Sequence, residues 1–202
     1  MNIIEQPRLY RLLSSLSIVP EEQWPEIEQD IWDMFEQTKA VLVTDMSHFS
    51  KVTKQHGIIY YLAMIKRMQD VVAMAVTRHK GQVIKFLADN SFSVFDSVDD
   101  ALKCIIEINK KMQLENEKTP GIWDVEICSG IDFGKILNIN NTDLFGDAVN
   151  LASKLGEDTA NPWDVLLTER AFNMLTTNKN TFTEIAVEQS GLKIPTYKLE
   201  CS

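Results

Sequence analysis

The sequence has little of what would place it in a membrane, on a nucleic acid or in a disulfide scaffold. No apolar run reaches the roughly 18 to 20 residues of a membrane-spanning helix. The start, MNIIEQPRLYRLL, carries neither the basic head nor the small-residue cleavage site of a secretory leader, so a cytoplasmic location is expected. Basic residues are scarce: 20 Lys and Arg face 29 Asp and Glu, a formal net charge of −9. Nucleic-acid binders show a basic face, because phosphate neutralisation dominates their affinity. None is evident, so neither nucleic acid nor membrane is expected as a partner. A small polyanion stays possible, since a bound cation can neutralise it locally. Cys104, Cys128 and Cys201 are odd in number and unpaired in spacing, which argues against a disulfide framework. No CxxC or His/Cys cluster suggests zinc. His48, His56 and His79 are scattered and read as surface or helix-end residues. Internal repeats and low-complexity stretches are absent.

What the chain does have is the length and composition of one globular domain with a modest extension. It runs to 202 residues, 45% of them hydrophobic and 24% charged. Residues 5 to 37 read as two helices, broken at Pro20. In the second, Trp24, Ile27, Ile31 and Phe35 form an apolar stripe. KAVLVTD is a short β-prone run. Residues 58 to 79 form a helix with Ile58, Leu62, Ile65, Val72 and Val76 on its inner face, ended by Gly81. QVIKFLA and SFSVF are strands joined through Asp89-Asn90. Residues 98 to 116 form a second amphipathic helix, with Val98, Ala101, Leu102, Ile105, Ile108 and Met112 inward. WDVEICSGIDF reads as a strand, Gly134 as a turn and KILNI as a short partner strand. A helix follows over 145 to 158, then late strands at DVLLT, FTEIAV and TYKLE, with a helix at 169 to 175. The order β-α-β-β-α-β is the ferredoxin-like unit, an α+β fold with helices on one face of an antiparallel sheet. The expected division is a helical extension over 1–37, serving dimerisation or regulation, and a catalytic domain over 38–202.

Three groups of residues carry possible chemistry. Asp45 ends the first strand and Asp89 sits in the hairpin turn. First and third strands are neighbours in such a unit, so the two carboxylates can converge and hold hard divalent cations. Ser47-His48-Phe49-Ser50 opens a helical region, where backbone N–H groups can bind phosphate oxygens. In TDLFGDAVNLASKLGED, Gly146 and Asp147 look like a helix entry, and Asn150 and Lys154 share one face at i, i+4. Taken singly, each has a plainer reading: Asp89 as a turn residue, Ser47 or Ser50 as a helix cap, Asn150 and Lys154 as a solvated face.

Together, VLVTDMSHFS, HKGQVIKFLADNSFSVF, GIDFGKILN and DLFGDAVNLASKL resemble the catalytic domain of class III adenylate and guanylate cyclases, in order and from about Lys39 onward. Signatures of GGDEF-type diguanylate cyclases and of polymerase palm domains, which share the fold, are absent. The resemblance implies a nucleotide cyclase that closes a nucleoside triphosphate, with ATP expected, into a 3′,5′-cyclic monophosphate and releases pyrophosphate. It implies Asp45, the Met46 carbonyl and Asp89 as ligands of two divalent cations, Mg2+ or Mn2+. Lys85 and Asp143 match the pair that reads adenine, and Asn150 the residue that orients the ribose. Family members work as head-to-tail dimers. In a homodimer Asp45 and Asp89 would come from one copy, and Lys85, Asp143, Asn150 and Lys154 from the other.

The chain departs from the family pattern at several points. Ala88 stands where a glycine usually precedes the second aspartate. Lys154 replaces an arginine at the reacting phosphate and lacks its planar fork. The NINNTD loop is shortened, and VEQSGLKIP shows no clear counterpart of the lysine that many cyclases direct at the terminal phosphates, with Lys193 standing close to its place. Two alternatives stay open at this point: a cyclase making another cyclic nucleotide, cyclic GMP or a cyclic pyrimidine, and a catalytically silent cyclase-like regulatory domain.

Overall fold

Strand β1, Glu36–Met46, is the spine of the fold, and its residues alternate between two cores. The computed structural model describes residues 7–47, 54, 56–177, 179–189 and 192–200. Helix α1 spans Pro7–Ser15 and α2 Trp24–Phe35, both ahead of β1. Helix α3 spans Ile58–Arg78, β2 Gln82–Leu87, β3 Asn90–Phe95, α4 Val98–Asn116 and β4 Ile127–Ile139. Then come β5 Asp143–Phe145, α5 Asp147–Ser153, a π-helical turn over Lys154–Thr159, β6 Val165–Thr168 and α6 Glu169–Met174. Strands β7, Phe182–Gln189, and β8, Leu192–Leu199, close the described chain.

The sheet order is β2-β3-β1-β4-β6-β8-β7, with β5 paired to β4. The expected ferredoxin-like unit is its first half, β2-β3-β1-β4. Pairing is antiparallel except between β4 and β6, which run parallel because α5 and its turn carry the chain back across the sheet. One face is covered by α3 and α4. Tyr61, Met64, Met68, Val72, Ile105, Ile108 and Met112 pack there on Ala40, Leu42, Phe95 and Ile131. Each such side chain, fully enclosed, contributes about 1.5–3 kcal/mol through apolar burial. The two helices of the unit thus share one face, and α5, which follows the unit, covers the other, seating Ala148, Val149 and Ala152 on Val41, Val43, Phe92 and Ile136.

Other differences have local causes. The buried stripe of α3 is centred on Tyr61, Ile65, Met68 and Val72, so Ile58 and Leu62 fall off it, each 50% exposed. Trp24 likewise leaves the α2 stripe at 44% exposure, while Ile31 packs with Leu9 and Ile139. Gly134 is no turn. It lies inside a 13-residue β4, because the 11 residues of β1 pair along it without a break, Lys39 opposite Gly134. The turn falls instead at Asn140 and Asn141, with φ 51° and 59°, a left-handed conformation that asparagine tolerates. The β2–β3 hairpin turns one residue earlier than expected, at Ala88-Asp89, since Leu87 pairs with Asn90. Helix α4 has its expected inward face, with Val98, Ala101, Leu102, Ile105, Ile108 and Met112 all buried and Ser97 capping it. No helix among the described residues is long and apolar enough to cross a membrane. Cys104 and Cys128 are buried free thiols.

Candidate active site

The site begins where β1 ends. Alternation along the strand puts Asp45 on the same face as Val41 and Val43, the face that α5 covers. The register sets Thr44 opposite Ser91 on β3, which brings the end of β1 against the hairpin carrying Asp89. The two carboxylates expected to converge therefore sit at one sheet end. Burial first, then repulsion from Asp89 and Glu157, pushes the Asp45 carboxyl from its ordinary 3.8 up to about 7. The Met46 backbone N–H, donating to that carboxylate, pulls the other way. The Met46 side chain is buried among the α3–α4 core. Asp89 accepts a hydrogen bond at 2.7 Å from the buried hydroxyl of Tyr61.

Two further carboxylates arrive that sequence reasoning missed. Glu157 and Asp158 ride on the π-helical turn, near enough to Asp45 for their charges to raise it. The turn widens, with Ala160 N–H reaching back five residues to Leu155, as Gly156 presses on the sheet. A Cβ on Gly130 would lie 2.2 Å from the Ala152 carbonyl oxygen, so no side chain fits there. One on Gly156 would lie 3.0 Å from the Gly130 nitrogen and 3.1 Å from the Val43 oxygen. The sequence held one signal for Asp158, its position four residues beyond Lys154, where a helix pairs opposite charges. That pair forms: the Lys154 ammonium meets the Asp158 carboxylate.

Helix α5 starts as expected at Asp147, with Gly146 entering it at φ 133°, a conformation that favours glycine. The Lys154 N–H donates to the Asn150 carbonyl, so the two residues stand one turn apart on one face, and Asn150 is exposed. Arg170 of α6 anchors this helix. Its Nε donates at 2.7 Å to the fully buried Asp132 of β4, and its Nη2 lies 2.8 Å from Asp147 at the start of α5. Thr168 also donates to Asp132, at 2.5 Å, so the buried carboxylate is well partnered.

Lys85 on β2 and Asp143 on β5 are 58 residues apart in sequence and 2.5 Å apart in space, Nζ to Oδ1, both half-buried. The same ammonium stands 4.9 Å from the centre of the Phe92 ring. Ser47 turns off the sheet, its N–H donating to Glu126 and its Oγ 3.1 Å from Cys128 Sγ. His48, Phe49 and Ser50 lie outside the described residues.

The donor set suits hard divalent cations. Asp45 and Asp89 offer only oxygen, and the buried Asn90 amide oxygen beside Asp89 has no hydrogen-bond partner among the described residues. No three His, Cys, Asp or Glu side chains there form a cage for a metal ion. A cation of the magnesium class is commonly held by one or two carboxylates with phosphate oxygens completing its shell, which matches this arrangement.

The family described as "Adenylate and Guanylate cyclase catalytic domain" matches residues 35–200. No curated protein matches significantly. Among solved structures, an adenylate/guanylate cyclase/hydrolase from Silicibacter pomeroyi is similar over 83% of this chain and 98% of its own, with 23% identity and a TM-score of 0.69. The adenylyl cyclase CyaB from P. aeruginosa is similar over 83% and 96%, with 17% identity and a TM-score of 0.66. The guanylate cyclase domain of RhGC from Catenaria anguillulae, in complex with GTP, is similar over 81% and 97%, with 16% identity and a TM-score of 0.65. With 166 of its 202 residues matched by the family, the chain belongs to the adenylate and guanylate cyclase catalytic domains.

Proposed function

We propose that this chain closes ATP to its 3′,5′-cyclic monophosphate with release of pyrophosphate, at sites shared between two copies of the chain in the cytoplasm. The observation that carries the reading is the meeting of Asp45 and Asp89 at one sheet end in a chain of this family. Divalent cations of the magnesium or manganese kind, bound there, supply charge neutralisation for the triphosphate and for the attacking hydroxyl. The remaining work falls to side chains that bind and orient. Lys85 donates to a purine ring nitrogen and Asp143 accepts from the exocyclic amine of adenine. Their mutual contact in the free protein holds both in place until a base enters. Asn150 orients the ribose so that its 3′-oxygen lines up with the α-phosphorus. A new bond forms there, the hydroxyl proton passes to water, and the bond to the bridging oxygen breaks as pyrophosphate leaves. Lys154 turns from Asp158 to the phosphate as negative charge shifts onto it.

Relatives of both base specificities are similar in fold, so the adenine reading rests on Lys85 and Asp143. A second reading, a nucleotide-binding domain without turnover, draws on the pairing of Lys154 with Asp158. Residues 1–37 serve in this proposal as a dimerisation or regulatory extension. Helices α1 and α2 pack on the far end of β4 through Leu9, Ile31 and Ile139.

Mixing two inactive variants tests the shared site. Asp45→Ala lacks a cation ligand in both sites of its homodimer, and Asn150→Ala lacks a ribose contact in both. Once subunits exchange, a heterodimer collects both defects in one site and leaves the other intact. Activity should return toward one working site per heterodimer. With exchange verified, no rescue at any ratio would refute both the shared site and turnover at it.

A further inference from the structure

The buried stripe of α3 is apolar except at one atom. Tyr61 shares it with Met64, Ile65 and Met68, is 0% exposed, and sends its hydroxyl out of the core to Asp89 Oδ2 at 2.7 Å. Asp89 needs such a partner. It stands in a two-residue turn, half-buried, beside an Ala88 at φ 52°. A carboxylate at a turn tip is otherwise free to rotate about its side-chain bonds. The Tyr61 ring is not, because it is fully buried in the core between the helices and the sheet.

We propose that Tyr61 is a positioning residue for Asp89: its hydroxyl holds one carboxylate oxygen in a fixed place and leaves the other for a divalent cation. This rests on the reading of Asp89 as a cation ligand. A ligand that arrives already oriented loses less freedom on binding, and hydrogen-bonding partners behind metal ligands typically matter by about 10–100-fold in metal affinity. The geometry also explains why a tyrosine rather than a phenylalanine occupies this stripe. Phenylalanine would fill the same enclosed space, and the hydroxyl adds nothing to apolar packing. A hydroxyl serving only its own solvation needs no carboxylate partner, whereas this one joins the core to the site.

The test is Tyr61→Phe, which keeps the ring and removes the hydroxyl, with Asp89→Asn alongside. Mn2+ binding is counted by electron paramagnetic resonance at saturating α,β-methylene-ATP, and each protein is checked by thermal unfolding without cation. Asp89→Asn is expected to lose most Mn2+ binding. Tyr61→Phe is expected to keep the same number of bound ions at saturation with an apparent Kd roughly tenfold or more higher. Its kcat should climb back toward wild type as Mn2+ is raised. A purely structural tyrosine would instead lower the melting temperature and leave the Mn2+ curve in place. If Asp89→Asn loses the metal while Tyr61→Phe titrates within twofold of wild type, the positioning role is overturned and the site reading stands. If Asp89→Asn binds Mn2+ like wild type, the site reading falls and the positioning role falls with it.

Discussion

Removing the charge of Asp45 should make the cation-free protein more stable while abolishing turnover. Its carboxyl rises from 3.8 to about 7, through burial first and then repulsion from Asp89 and Glu157. The folded protein thus holds a proton on Asp45 more tightly than the unfolded chain does. Stability therefore falls as pH rises from about 4 to about 7, and the loss is complete above that window. The sign is opposite to that of an ordinary ion-paired aspartate, whose folded pKa is depressed. A displacement of this size corresponds to at most ~4 kcal/mol. Partial exposure and solvent screening reduce it to about 1–2 kcal/mol. For a chain of this length, that is a melting shift of roughly 2–8 °C. Asp45→Asn keeps the shape and removes the charge. In EDTA at pH 8 the variant should melt higher than wild type, and near pH 4 the gap should close. Added Mn2+ with a nucleotide analogue should reverse the order, because wild type holds the cation and its nucleotide more tightly. Thermal unfolding across this pH range reads all three. An Asn variant that melts below wild type at pH 8 in EDTA would refute the account of Asp45 as a charge strained by its surroundings.

Lys154→Ala is expected to lower kcat by roughly 10²-fold with little change in KM, and Lys154→Arg to match or exceed wild type. Steady-state kinetics decide it, and a silent Lys154→Ala would return the residue to a solvated helix face. With Mn2+ and each of the four ribonucleotides, ATP should be the preferred substrate, because the O6 of guanine would face the Asp143 carboxylate. Product masses showing equal or better turnover of GTP, CTP or UTP would sink the adenine assignment. Ala88 holds φ 52°, so Ala88→Gly should stabilise by about 0.5–1 kcal/mol in denaturant unfolding. A loss of stability there would show that the hairpin is not strained.

Helix α4 could be read residue by residue because its apolar period runs without interruption from Val98 to Met112 and a serine caps it. Helix α3 could be placed but not fully oriented. Ile58 and Leu62 are as apolar as the residues that are buried, and composition cannot separate an inward isoleucine from an outward one. Gly134 misleads for a related reason: glycine marks turns, yet strand pairing with β1 carries the chain straight through it. At the site, the placing of Asp45 near Asp89 follows from the neighbouring of first and third strands, which the order of elements specifies. Tyr61 and Glu157 were not legible. The first meets Asp89 across 28 residues from a core stripe, and the second arrives through a π-helical turn that only the packing of Gly156 reveals.

Backbone touches backbone where Gly156 meets Gly130, and this joint sets what can move. A helix resting on side chains can slide as those side chains change rotamer. Here the turn bearing Lys154, Glu157 and Asp158 is seated on the peptide units of β4 and β1 themselves, without a compliant layer between. The chain is braced at this point, a lever arm rather than a flap. In a shared-site dimer the adjustable coordinate is then the angle between the two copies. A regulatory signal that turns one copy against the other by a few degrees would carry Lys154 toward or away from the opposing carboxylates as a unit, much as a key turns with its bow.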